Sequence, residues 1–445
     1  MAARSLLFLN SSLSTSFRSP SLLGLHRGRR LAMSGAAPIC LSTSGAEAEP
    51  GEARKEDIVI VGAGIAGLAT AVALHRLGVR TVVLEQAESL RTGGTSLTFF
   101  KNGWRALDAI GVGNLLRPQF LEIQGITTKA EDGRELRSFI FKDTDESQEV
   151  RPVERRVLLE TLANQLPKDT IKFSAKLAKV KTSQSTETLL ELTNGTKLSA
   201  KIAIGCDGIW SSVAKSMGFS DPKYVGHCAL RGLGLFPNGH SYEPMVNYIY
   251  GRGVRGGYVP ITPTKVFWFM MYNSSTPGPS NTDPAALKKQ AKELVRNWSL
   301  ELLSMIDLTP DDAIIKSPLA DRWLWPAISP PAFVGKTVLV GDAWHPMTPN
   351  LGQGACCALE DSVILARKLA SALNTGSTTV EDALKSYESE RWPRIFPMTV
   401  RSSFTGSILQ WDNPMFCSFR DNVLIPKLVR PGPMLEHTNF DCGTL

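Results

Sequence analysis

Two Gly-rich turns and one Asp-Gly pair carry most of the chemistry open to this 445-residue chain. Late in the sequence, Gly341-Asp342-Ala343-Trp344-His345-Pro346 runs on through Met347-Thr348-Pro349-Asn350-Leu351 to Gly352-Gln353-Gly354. An apolar strand, Thr337–Val340, delivers Asp342 to its carboxyl end, and a helix opens at Gly354 and continues to Leu373. A carboxylate able to accept from sugar hydroxyls then stands beside bare backbone N–H groups at the positive end of a helix dipole. A flavin needs both, for its ribityl chain and for the negative charge of its reduced ring. The same strand–loop–helix order also serves as plain α/β scaffolding.

Near the front, Ile58–Val61 reads as a buried parallel strand, followed by Gly62-Ala63-Gly64-Ile65-Ala66-Gly67 and the helix Leu68–Leu77. Gly78 ends that helix, and a second strand, Thr81–Leu84, carries Glu85 at its tip. This is G-x-G-x-x-G inside one βαβ unit, with an acid about twenty residues on. Gly62 permits the tight turn, Gly64 lets a pyrophosphate approach the backbone, and Gly67 lets helix and strand pack closely. Glu85 is placed to accept from ribose hydroxyls. A third element, Lys201–Gly205 followed by Cys206-Asp207-Gly208, ends a strand in Asp-Gly, with Ser211 as N-cap of the next helix. An isolated Asp-Gly is more often a turn; three such sites in order point to a bound dinucleotide.

On these residues the chain resembles the single-component FAD-dependent aromatic hydroxylases and monooxygenases, the family of salicylate hydroxylase and plant zeaxanthin epoxidase. The resemblance spans roughly 56–410 and includes Arg-x-x-Leu at Arg156–Leu159 and a late helix with Tyr387-Glu388-Ser389-Glu390-Arg391. It implies an α/β fold: an FAD-binding Rossmann-like domain of the p-hydroxybenzoate hydroxylase type, interleaved with a β-sheet substrate domain and followed by C-terminal helices. It also implies FAD as cofactor, NADPH or NADH as co-substrate, and oxygen transfer from O2 through a flavin hydroperoxide. In that frame Asp207 serves FAD near the point of hydride delivery, with Gly208 beside it. Gly341, Asp342, Pro346, Gly352, Gln353 and Gly354 shape the ribityl and ring end. Arg156 lies near the ADP portion, and Arg155 is an equal candidate on geometry alone. There is no second G-x-G-x-x-G, so a separate nicotinamide domain is not expected.

Family members often carry a further glycine after the Gln-Gly turn; Ala355 stands here, which a helix houses easily. The chain shows no thioredoxin-like or long C-terminal extension, which separates it from the phenol hydroxylase branch and from the carotenoid substrate of plant zeaxanthin epoxidases. The expected activity is insertion of one oxygen atom into an aromatic or isoprenoid small molecule. A geranylgeranyl-reductase-like flavin reductase and an idle FAD-binding regulatory protein are the alternatives.

Substrate-side candidates are fewer. Arg231, on an expected roof strand, suits a carboxylate or a substrate oxygen, and an exposed strand arginine is the plain reading. Tyr258 is a weaker candidate of the same kind. Val266–Tyr272 alternates aromatic faces, half of which must face a core. His345 is assigned no catalytic role.

Residues 1–46 hold five arginines, ten serines and no acid, the composition of a transit peptide; with the family resemblance, a chloroplast is the expected destination. Removing residues 1–50 leaves a net charge of +4, which gives no case for nucleic acid. No apolar run approaches the roughly 18 residues of a membrane span, so any membrane contact is peripheral. The seven cysteines are scattered, with no C-x-x-C and no His at metal spacing, so neither a disulfide framework nor a metal is expected.

The expected organisation is a discontinuous FAD domain at 56–222 and 334–373, a substrate sheet at 223–333, a C-terminal helix at 380–411 bent at Pro393 and Pro397, and a tail at 412–445. A hairpin turns at Asn194-Gly195. The sheet's strands are Cys228–Phe236, Met245–Tyr250, Gly257–Pro260 and Lys265–Tyr272, interrupted by one helix, Pro284–Ile306, with Asp283 as N-cap.

Overall fold

A computed structural model describes residues 53–90, 96–181, 187–279, 283–376 and 378–445; the leader expected at 1–50 lies outside them. The fold is mixed α/β, built on two large sheets. The first takes strands from distant parts of the chain. In it Arg54–Val61 pairs in parallel with Val82–Leu84 on one side and Lys197–Gly205 on the other, and Thr337–Leu339 pairs in parallel with Lys197–Gly205. These strands are apolar on both faces because both are covered. Thr188–Leu192 joins antiparallel to Lys197–Gly205, with Gly195 left-handed at φ 85° in the hairpin turn.

Helices Ile65–Arg76 and Gly354–Thr375 pack on this sheet and on each other through small residues. Thr70 Oγ1 donates to Ser362 Oγ at 3.0 Å, and Ser362 Oγ donates to the Ala66 carbonyl at 3.2 Å. Gly341 sits between the two helices at φ 61°; a Cβ there would lie about 3 Å from those of Ala66 and Ala358. Close helix approach therefore fixes where the loop carrying Asp342 emerges.

The second sheet has seven strands, in the order Ile315–Asp321, Lys223–Leu235, Lys265–Asn273, Val254–Thr262, Met245–Tyr250, Gly125–Ala130, Glu135–Ile140. The last two strands lie within the segment expected in the FAD domain. Gly125–Ala130 instead pairs in parallel with Met245–Tyr250, a long-range choice that local pattern does not encode. One face of the sheet is covered by two helices, Pro284–Leu294 and Leu300–Asp307, where one helix was expected. Residues 295–299 interrupt it, and Ser299 starts the second piece in an extended conformation. Asp283 does cap the first, accepting from the Ala286 N–H at 3.1 Å.

Val380–Leu409 forms a single 30-residue helix containing Pro393 and Pro397, opened by a capping box at Thr379. Residues 412–445, expected as a tail, fold back on the body: Arg420 donates to the Gly251 carbonyl at 3.0 Å, Leu435 is buried with Ile126 and Phe141, and Cys442 joins the main core. No helix among the described residues is long and apolar enough to cross a membrane.

Candidate functional site

Three loops meet at the carboxyl ends of the parallel strands. A Cβ on Gly62 (φ 102°) would stand 2.5 Å from the Cys206 carbonyl oxygen, and one on Gly67 would run into the Gly62 carbonyl. These two glycines are packed inward, joining the first loop to the Cys206-Asp207-Gly208 loop and to its own helix. Gly64 and Gly208 are the opposite: a Cβ on either meets nothing within 4 Å. The open positions line a cleft.

Both helices that start at this cleft are bare. Ile65–Arg76 and Gly354–Thr375 have no side-chain cap and no acid in the first turn, so their N-terminal donors and dipoles are unanswered by protein. Asp342 stands at the mouth of the second, its Oδ1 3.9 Å from the Cβ position of Gly354. Its carboxylate reaches solvent although protein surrounds it. That crowding pushes its carboxyl above the usual carboxylate range, with His345 and Arg155 pulling it back down. An accessible acid, a nearby arginine and two uncapped helix starts are groups that fit a bound FAD.

Glu85 is buried and partly engaged by the first loop, accepting from Ala63 N at 2.9 Å and Ala87 N at 2.9 Å. Asp207 is fixed by its own loop: one oxygen accepts from Ser211 Oγ and the other from the N–H groups of Ser212 (2.7 Å) and Val213 (3.2 Å). Burial raises its carboxyl's affinity for a proton against those hydrogen bonds. Ser211 caps the following short helix, accepting from Ala214 N.

The two adjacent arginines part company. Arg156 is exposed, 4.0 Å from Glu160 on the outside of its helix. Arg155 is half-buried, and its charge bears on Asp342. Both satisfy Arg-x-x-Leu, to Leu158 and to Leu159, so the pattern alone does not separate them.

Beneath the 342–354 turn lies an ionic cluster that sequence reasoning missed. Asp361 accepts from His345 Nε2 (2.6 Å), Arg391 Nε (2.6 Å) and Gly341 N (3.0 Å). Glu360 accepts from Arg391 (2.7 Å), Arg394 (3.0 Å) and Asn102 (2.7 Å). Asn102 also donates to Gln353 Oε1 at 2.8 Å, so Gln353, expected at the cofactor, is fully buried with its side chain held by Asn102. Burial opposes ionisation of Asp361, but His345 and Arg391 outweigh it and hold its carboxyl down at about 2. The available signal was two adjacent acids inside the apolar run of a buried helix, which require cations nearby. Pro346, next to His345, is buried, its carbonyl accepting from Arg322 N at 3.0 Å.

The second sheet hangs over this turn. Arg322 donates to the Ala343 carbonyl at 3.0 Å, and Arg255 donates to Asn350 and to Gln410. Side chains alternate across its strands. Cys228, Leu230, Trp268 and Met270 face the two covering helices; Leu233 and Phe267 face the first domain's core. Arg231 shares the parity of Leu233 and so lies on that same face of the sheet, partly buried. Tyr258, expected on the substrate side, does not: it is buried on the helix-covered face and donates to Glu301 at 2.9 Å. The alternation that turns Phe267 and Phe269 toward the first domain carries Tyr258 away from it.

A family model described as FAD binding domain matches residues 55–402. Among curated proteins, the chain is 36% identical over 403 residues to Monooxygenase 2 of Arabidopsis thaliana, covering 87% of this chain and 98% of that protein. It is 28% identical over 377 residues to 3-hydroxybenzoate 6-hydroxylase 1 of Aquipseudomonas alcaligenes, covering 79% and 89%. Among solved structures, Klebsiella pneumoniae HpxO complexed with FAD and uric acid shares the fold, with TM-score 0.75 at 20% identity over 87% of this chain and 96% of that one.

Proposed function

The chain belongs to the FAD binding domain family of FAD-dependent monooxygenases, and from that premise we propose that it uses NADPH or NADH and O2 to insert one oxygen atom into an aromatic or isoprenoid small molecule. The observation that carries the reading is the pair of uncapped helix N-termini opening on one cleft beside accessible Asp342. When bound, FAD would supply the redox chemistry, accepting reducing equivalents from the nicotinamide and activating O2 for transfer to the substrate.

The chain's own residues do the rest. Gly62 and Gly67 hold the first loop in shape, and Gly64 and Gly208 leave room for the pyrophosphate. Glu85 and Asp342 accept from the two sugar-like chains, and Arg155 adds positive charge between the ADP portion and Asp342. The N–H groups at Gly354 stabilise negative charge on the ring's pyrimidine edge. Asp207 keeps the neighbouring loop rigid, and the overhanging sheet excludes water. The basic, acid-free residues 1–46 support delivery to a chloroplast.

The test is a visible spectrum of the purified full chain, with nicotinamide oxidation followed in an oxygen electrode. Bound flavin whose reduction by NADPH or NADH is accelerated by an added aromatic or isoprenoid compound, with oxygen consumed, is the expected result. Flavin that neither nucleotide reduces, or turnover without oxygen uptake, would overturn it in favour of a reductase or an idle flavoprotein.

A further inference from the structure

Residues 438–444 are strapped to the body by three cations. Lys101 donates to Asn439 Oδ1 at 3.1 Å, and Arg105 donates to the carbonyls of Asn439 (2.8 Å) and Phe440 (3.3 Å). Arg367 donates to the carbonyls of Cys442 (2.8 Å) and Thr444 (2.9 Å). This grip seats the Phe440 ring over two guanidinium groups of the ionic cluster, 5.0 Å from Arg391 Cζ and 4.7 Å from Arg394 Cζ. Arg391 is fully buried, and its Nη1 has no hydrogen-bond partner among the described residues. The negative face of an aromatic ring attracts such a cation without supplying an acceptor atom. Covering the two arginines also lowers the local dielectric, which strengthens their pairs with Glu360 and Asp361.

The cluster is in turn fastened to the 341–354 turn. Asp361 accepts from His345 and from the Gly341 N–H, while Glu360 and Gln353 share Asn102. Asn102 belongs to the helix Lys101–Ala109, whose Lys101 and Arg105 grip the strap. The strap thus engages the same three helices whose other side chains fix the turn: Lys101–Ala109, Gly354–Thr375 and Val380–Leu409. We propose that Phe440 is a positioning residue for the FAD site. Through its ring face it holds Arg391 and Arg394 against Glu360 and Asp361, and with them the turn in the form that receives the flavin. The assignment rests on the FAD reading of that turn. A protein whose binding-competent form is only partly populated binds with an affinity reduced by that fraction. Loosening the strap therefore weakens FAD binding while the glycines, acids and helix starts of the cleft stay unaltered.

The experiment is titration of the flavin-free full chain with FAD, followed by flavin fluorescence, with the visible circular dichroism of the saturated protein as second readout. Urea unfolding of the flavin-free protein shows which variants are folded. Phe440→Ala is expected to weaken FAD about fivefold, the size of one cation–π contact, and to alter the flavin dichroism. Phe440→Trp keeps a ring face and is expected to restore both. Phe440→Leu keeps apolar cover without a ring and is expected to restore stability but not affinity. If Phe440→Ala does not fold, Arg105→Met loosens the grip more gently and is expected to weaken FAD about twofold. FAD affinity and dichroism unchanged in the folded variants, or affinity restored as fully by Leu as by Trp, would overturn the assignment while leaving the FAD reading intact. A parent protein that takes up no FAD would overturn that reading, and the assignment with it.

Discussion

The two walls of the proposed cleft are built by different means. The first domain presents backbone there: helix N-termini, glycines without side chains, and a turn propped from below by buried ions. The overhanging sheet presents side chains standing on rigid strands. A backbone-built wall tolerates little change in the residues behind it, whereas a side-chain wall can be recut one residue at a time without loss of fold.

The largest expected effect separates the two roles of glycine on the backbone wall. Gly64→Asp places a negative side chain in open space, so the protein should fold with unchanged melting temperature and emerge without flavin; full yellow colour in the folded variant would show that the pyrophosphate lies elsewhere. Gly67→Ala meets the Gly62 carbonyl and should lose the fold itself. Next, Arg391→Met leaves Glu360 and Asp361 buried without their shared cation. A loss of about 3–5 kcal/mol is expected, read by urea unfolding of the flavin-free protein; a loss below 1 kcal/mol would mean that the cluster does not support the turn.

Acid distinguishes the walls too. Asp361 is held near 2 against an ordinary 3.8, so the unfolded chain takes up its proton first, and stability of about 2 kcal/mol present above pH 4 is lost as pH falls from about 4 to 2. His227, on the sheet, is lowered by burial and by Arg255 from 6.5 to about 4, so its contribution is already lost between those values. Asp361→Asn should flatten the lower limb of a stability–pH curve, and His227→Gln the upper. A smaller effect sharpens the backbone wall: Arg155→Met should weaken FAD roughly tenfold by loss of one nearby charge, and Arg156→Met should leave it unchanged, as measured by flavin fluorescence. The smallest effect lies behind the other wall. Tyr258→Phe removes one hydrogen bond to Glu301, costs about 1 kcal/mol by thermal unfolding, and leaves ligand affinity untouched.

The same contrast decides what could be read from the sequence. Gly62, Gly64 and Gly67 are legible because a tight turn, an open approach and a close helix contact each exclude side chains, and their spacing records all three. Asp342 and Gly354 follow from a strand end and a helix start. Arg155 and Arg156 are not separable in the sequence, since one helical step of about 100° decides which faces the cleft. Tyr258 fails for a similar reason: its face depends on register against Trp268, and a slip of one residue inverts it. Gly125–Ala130 joins the second sheet through a pairing with Met245–Tyr250 that no local pattern announces. The ionic cluster draws its members from residues 102, 345, 353, 360, 361, 391 and 394, which come together only in the folded chain.

The contact of Thr70 with Ser362 joins residues 292 positions apart, and this has a consequence for how the protein is made. A chain emerging from the ribosome completes the strand and helix of the first Gly-rich loop long before the helix that packs on them exists. Until residues 354–375 arrive, the small-residue face of Ile65–Arg76 has nothing to bury against, and Lys197–Gly205 lacks its partner Thr337–Leu339. Such non-local closure is slow and leaves apolar surface and strand edges exposed meanwhile. The half of the cleft written earliest in the chain is therefore among the last to be finished, and its early segment depends on being shielded from other nascent chains until the distant helix docks.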